Sequence, residues 1–206
     1  MKKIVFCNIM MKDRLDTLCY KVNGNSTIEY NGEVIFPING VLACTLRKDD
    51  DVKVVLLKKE DINGNSDRNT GEYKRELEKI NSNLGAKIEY SILSTPHNES
   101  REVQEKLFKE ILSEFVESAA VYADITYGTK SLPIIMFSAL NFAQRFFKAD
   151  IKNIIYGKVD FNKDNKPFNA ELFDMSALFY LNSIVNTLEC VDGDSALKIL
   201  DTILSE

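Results

Sequence analysis

Short runs of consecutive apolar residues alternate along the chain with longer stretches in which apolar residues recur every three or four positions. The first run, Lys3 to Ile9, is almost unbroken and predicts a strand buried on both faces. Val52–Leu57, Lys87–Leu93, Ala119–Ile125 and Asn153–Tyr156 predict further strands, the last running on toward Phe161. Helical spacing fills the intervals. Pro37 opens a helix through Leu46; Tyr73, Leu77, Ile80 and Leu84 mark a helix from Glu72 that stops at Gly85; and Val103, Leu107, Ile111, Leu112 and Phe115 line one face of Glu99–Ser118. A long apolar helix is predicted from Ser131 to Ala149, and Asp61–Thr70 reads as a polar loop. Asn23-Gly24-Asn25-Ser26, between Tyr20–Val22 and Thr27–Tyr30, predicts a hairpin, because Asn-Gly supplies the positive φ such a turn requires. From Phe168 onward no strand is expected, only helices over Ser176–Leu188 and Ser195–Leu204. The alternation predicts an α/β fold: a Rossmann-like, doubly wound, mainly parallel sheet over residues 1–165 with a β-hairpin insertion, and a C-terminal helical appendage over 166–206.

Composition narrows the partners. The 206 residues suffice for one full domain, and 26 basic against 31 acidic side chains leave a net charge of −5, so nucleic acid is not gripped by bulk charge. An anionic ligand must be held locally. Cys7, Cys19, Cys44 and Cys190 form no C-x-x-C pair and have only His97 to join them, which argues against a zinc site and fits a reducing compartment. Asn8, Lys12 and Asp13 interrupt the apolar N-terminus, and Asn141, Gln144 and Arg145 break Leu132–Phe147 well short of a membrane span. A cytoplasmic chain is expected.

In an open parallel sheet ligands bind beyond the carboxyl ends of the strands. The loop after the first strand, Asn8-Ile9-Met10-Met11-Lys12, holds no glycine, so the dinucleotide fingerprint is missing, and no phosphate-loop motif occurs. No cofactor is expected. Asp124-Ile125-Thr126-Tyr127-Gly128-Thr129-Lys130-Ser131-Leu132-Pro133 combines a strand end, hydroxyls, a glycine, a lysine and a helix start, which is an anion-binding constellation. The same residues also read as a plain turn at Gly128 with Ser131 capping the helix. Asp124 is expected to hydrogen-bond the loop amides, Asp49-Asp50-Asp51 to form a solvated turn, and His97 to be a solvated loop residue.

Asp124-Ile-Thr-Tyr-Gly128-Thr-Lys-Ser-Leu-Pro133, followed by an apolar helix and Ile154-Ile155-Tyr156-Gly157, resembles the sensor domains of CRISPR-associated Rossmann-fold (CARF) proteins. The resemblance implies a homodimer that binds a cyclic oligoadenylate across its two-fold axis, a ring of four adenylates having matching symmetry, and that regulates a fused or separate effector in antiviral defence. By position, Asn8, Ile9, Met10 and Met11 together with Thr126, Tyr127, Gly128, Thr129, Lys130 and Ser131 would line the pocket, with Tyr127, Met10 and Met11 against adenine faces. An alternative within the family is a metal-independent ring nuclease in which Asn8 and Lys130 stabilise charge at the attacked phosphate. The ribonuclease effector common in the family needs an Arg-x4–6-His motif, and Arg75 is the nearest arginine before His97, so the chain is expected to be a sensor cut from a longer protein or to act through a partner. A third reading, a DNA-binding regulator using the last two helices, is opposed by Glu189, Asp192, Asp194, Asp201 and Glu206 against Lys198.

Overall fold

The computed structural model describes residues 1–205; Glu206, counted above among the C-terminal carboxylates, lies outside the described residues. Six helices and seven strands follow in the order β1 (Lys2–Asn8), β2 (Lys21–Asn23), α1 (Pro37–Thr45), β3 (Asp51–Lys59), α2 (Asn65–Asn81), β4 (Lys87–Thr95), α3 (Arg101–Ser113), β5 (Ala120–Asp124), α4 (Ser131–Phe146), β6 (Asp150–Phe161), β7 (Pro167–Asp174), α5 (Ser176–Thr187) and α6 (Gly193–Leu204). All strands join one sheet in the order β2-β7-β6-β5-β1-β3-β4, and only the β6–β7 pair is antiparallel. The sheet is Rossmann-like and doubly wound.

The apolar run of β1 is explained by its place at the centre. Val5 and Cys7 point into a cluster with Ile38, Val41 and Leu42 of α1 and Tyr73 and Leu77 of α2. On the other face Phe6 packs on Phe115, which follows α3, at 5.1 Å between ring centroids. Helix α1 lies beside α2, and α3 beside α4. With both faces covered, a strand has no polar side to show.

Three expectations are corrected. The hairpin at residues 20–30 does not form: Lys21–Asn23 makes a three-residue edge strand parallel to β7, and Ser26–Ile28 turns as a 3-10 helix capped by the Asn25 side chain. Gly24 does take the positive φ of +93° that its Asn-Gly step suggests, yet the chain leaves the sheet after it. The sheet's hairpin is instead β6–β7, so the stretch after Phe168, expected to hold no strand, contributes Pro167–Asp174. Finally, Asn65–Thr70 is helical. The Asp61 carboxylate accepts from the amides of Asn65 and Ser66 at 3.0 and 2.7 Å, which caps α2 well ahead of Tyr73, its first buried apolar side chain.

That polar first turn has a structural task. Asn69, fully buried, donates to the carbonyls of Met10 and Lys12 at 2.8 and 2.9 Å, and Asn65 donates to Met11 at 3.2 Å, so α2 fixes the loop that leaves β1. The chain divides into a unit of Met1–Ser176 and a second unit from Ala177 onward. Within the second unit α5 is followed by α6, whose first turn is capped by Asp192 accepting from the Ser195 amide at 2.8 Å. Among the described residues no helix is long and apolar enough to cross a membrane.

Candidate functional site

From β1 the chain moves outward to β3 and β4, then returns across β1 to add β5 and β6 on its other side. The winding therefore reverses between β1 and β5, and it is at such a switch point that the carboxyl ends of neighbouring strands leave a crevice. Asn8 ends β1 and Asp124 ends β5, with Cys7 paired to Asp124 in the ladder. The two predicted loops thus meet at one place.

Gly128 divides that place into two spaces. Its φ of +106° is open to glycine, and a Cβ there would lie 2.8 Å from Leu132 Cδ2 and within 3.7 Å of the Asn8 side chain. On the side of α3 lies a nearly closed space of about 20 Å³, walled by Asn8, Ile9, Leu57, Leu93, Leu107 and Leu132 and bordered by Lys59, Glu99, Thr129 and Ser131. On the other side an open groove of about 490 Å³ runs past Met10, Met11, Lys12, Arg14, Tyr20, Thr126, Tyr127, Gly157 and Phe161. Met11 and Gly128 touch both.

Asn8 is 1% exposed, and neither its Oδ1 nor its Nδ2 has a hydrogen-bond partner. A buried amide left in this way costs about 1–3 kcal/mol per group, so the fold carries it against stability. Asp124 lies beneath the loop, wholly buried. Its Oδ1 accepts from the Thr126 amide at 2.8 Å, as expected of a structural carboxylate, while Oδ2 has no partner. Burial pushes its carboxyl up to about 6, against the pull of the Thr126 hydroxyl and amide. Thr126 in turn accepts from the Gly157 amide at 2.8 Å, and a Cβ on Gly157 would meet Pro37 at 2.9 Å and Thr126 at 3.2 Å. Glycine at the Tyr156-Gly157 step therefore lets β6 close against the β5 loop.

The remaining predicted residues occupy distinct positions. Ile9 and Met10 are buried, and Met11 is half-buried between the two spaces. The Tyr127 ring packs edge-on to Phe36 with its hydroxyl donating to the Ile35 carbonyl at 3.5 Å, so it forms the groove wall; burial holds its phenol far above the usual range. Thr129 and Ser131 pair their hydroxyls at 3.1 Å over the first turn of α4. Lys130 precedes that turn, exposed, and makes no ion pair among the described residues.

Several neighbours were not singled out from the sequence. Lys59 is 8% exposed, donates to the carbonyls of Pro96 and Asn98, and stands 4.0 Å from Glu99. Lys12 lies over the Phe161 ring at 5.2 Å, and Arg14 pairs with Asp16. The available signal was the Lys58-Lys59 pair ending a buried strand on the ligand edge. His97 borders a separate groove with Asp61 and Asn65. Asp50 departs from the expected solvated turn: it is buried, 2.6 Å from the equally buried Lys3 and 3.4 Å from the Met1 amine. Among the described residues no three His, Cys, Asp or Glu side chains converge as metal ligands.

The unpaired Asn8 carboxamide and the hydroxyl-bearing Thr129 and Ser131 thus border the closed space, Thr126 and Tyr127 border the open groove, and Lys130 lines neither. No family model matches the chain. Over 113 residues, 52% of its length, it is 30% identical to the CRISPR-associated protein MJ1674 of Methanocaldococcus jannaschii, and that match spans 17% of the relative. The chain is therefore a Rossmann-like α/β protein with similarity to a CRISPR-associated protein over about half its length.

Proposed function

We propose that this chain is a CRISPR-associated sensor that binds a cyclic oligoadenylate, with cyclic tetra-adenylate the favoured ring, between two copies of itself. The observation that carries the reading is Asn8: a buried side chain with both polar atoms unpaired, at the switch point of the sheet and against the glycine that opens α4. A neutral donor-and-acceptor group suits a ligand with phosphates and heterocycles together, and the helix terminus with Lys130 supplies local positive character to an acidic protein. A ring of four adenylates carries two-fold symmetry, so two identical crevices can each contact half of it. The resemblance of the Asp124–Pro133 segment to CARF sensors and the similarity to a CRISPR-associated protein support the same assignment.

The test is calorimetric titration of the purified chain with rings of three, four and six adenylates, alongside light scattering for mass. The expected result is one tetra-adenylate ring per two chains, with Lys130→Ala weakening it about tenfold, the worth of one charge-assisted contact. Chromatography of the ligand afterwards should recover it intact. Linear products would instead assign ring cleavage, with Asn8 and Lys130 at the reacting phosphate. A strictly monomeric protein that ignores every ring at micromolar concentration overturns the reading.

A further inference from the structure

The first turn of α4 already has an anion beside it. Glu99, just ahead of α3, borders the closed space next to Asn8 together with Thr129 and Ser131. The hydroxyls of Thr129 and Ser131, with Lys59 and His97 nearby, favour its charged form and hold the carboxyl below its usual range. Lys59, the buried cation at this edge, lies 4.0 Å from it. A carboxylate at a helix N-terminus, facing two hydroxyls and an ammonium, occupies the position a phosphate would take. The free volume behind it, about 20 Å³, admits roughly one water molecule, so the unpaired Asn8 amide is closed off from any larger group while Glu99 stays in place.

We propose that Glu99 is a built-in competitor for the ligand: a phosphate can reach Thr129, Ser131 and Asn8 only by displacing this carboxylate, and binding thereby moves the Pro96–Ser100 turn. The proposal rests on α4 being the phosphate end of the site. Two negative groups sharing one pair of hydroxyls repel at short range, and the energy lost in displacing the first is subtracted from the affinity of the second. Lys59 holds the carbonyls of Pro96 and Asn98, so release of Glu99 leaves the turn tethered at its base.

The full chain and its Glu99→Gln variant are titrated with two probes, cyclic tetra-adenylate by calorimetry and inorganic tripolyphosphate by the shift in thermal midpoint. Glu89→Gln, an equal change of net charge on an exposed position of β4, is the control. The expected result is about tenfold tighter binding of both probes by Glu99→Gln, with Glu89→Gln like the parent protein. Equal or weaker binding by Glu99→Gln, or a matching gain in Glu89→Gln, overturns the proposal while leaving ring binding intact. If tripolyphosphate binding tightens but no ring binds either form, the competitor role stands and the cyclic oligoadenylate reading fails. No binding of either probe to either form overturns both.

Discussion

Replacing Asn8 by leucine, which keeps the branched shape and removes both polar atoms, should make the empty protein more stable and the sensor worse. Each unpaired buried group costs about 1–3 kcal/mol, and a single water in the adjoining space recovers part of that, so the net gain is about 1–3 kcal/mol. For a chain of this size such a gain raises the thermal midpoint by roughly 3–9 °C. The extra bulk of the leucine methyl groups is taken up by the free volume beside the side chain. Urea denaturation at fixed pH, with the slope m checked to be unchanged, reads the stability; calorimetry with cyclic tetra-adenylate reads the affinity, which should fall at least tenfold. A leucine variant no more stable than the parent would refute the claim that the amide is held at a cost. One that gained stability and still bound the ring would separate that cost from ligand recognition.

Two other substitutions probe the same crevice. Asp124→Asn keeps an oxygen for the Thr126 amide while removing a carboxyl that titrates near 6 in the fold. Because that value lies above the ordinary carboxylate value of about 3.9, the unfolded chain gives up its proton first as pH rises, and the folded state loses about 2–3 kcal/mol between pH 4 and 6. The variant should therefore be more stable by about that amount at pH 7.5, with its advantage fading as pH falls through 6 toward 4; a difference that ignores pH refutes the assignment. Gly128→Ala forces a side chain into φ +106° and against Leu132 Cδ2, which should cost about 1–3 kcal/mol and abolish ring binding, as read by thermal denaturation and calorimetry. A stable variant that binds normally would show that the turn has no special role.

The parallel core was legible because burial on both faces writes itself as unbroken apolar runs such as Ile4–Cys7 and Val54–Leu57. The two loops of the crevice could also be found, since strand ends and helix starts carry their own marks. What could not be read is recorded in groups whose partners are remote. Nothing local in Asn65-Ser66-Asp67-Arg68-Asn69-Thr70 reveals that Asn69 will meet the carbonyls of Met10 and Lys12, and without those partners the segment looks like a loop. Pro167–Asp174 alternates weakly because it lies near the sheet edge with exposed Phe168 and Asn169, so periodicity gave it no strand signature. Tyr20–Tyr30 carried a true turn signal at Gly24, but the pairing partner was β7 and not its own neighbour. Glu99 was read as the start of a helix, and its relation to α4 depends on how β4 and β5 sit across β1 from one another.

The edge ladder between β2 and β7 sets a condition on how the chain is made. Asn23 donates to Glu171, 148 positions away, and Asn25 to Asp174, so β2 waits for a strand made well after it before its backbone groups find their mates. At ordinary elongation rates that interval is on the order of ten seconds. In the last part of it the newly made β6 edge also stands open, and nascent chains crowded on one message can pair with each other there. Slow translation or low temperature should widen this window, and a short-lived need for a chaperone at that stage is the cost of an edge ladder whose two strands lie so far apart in sequence.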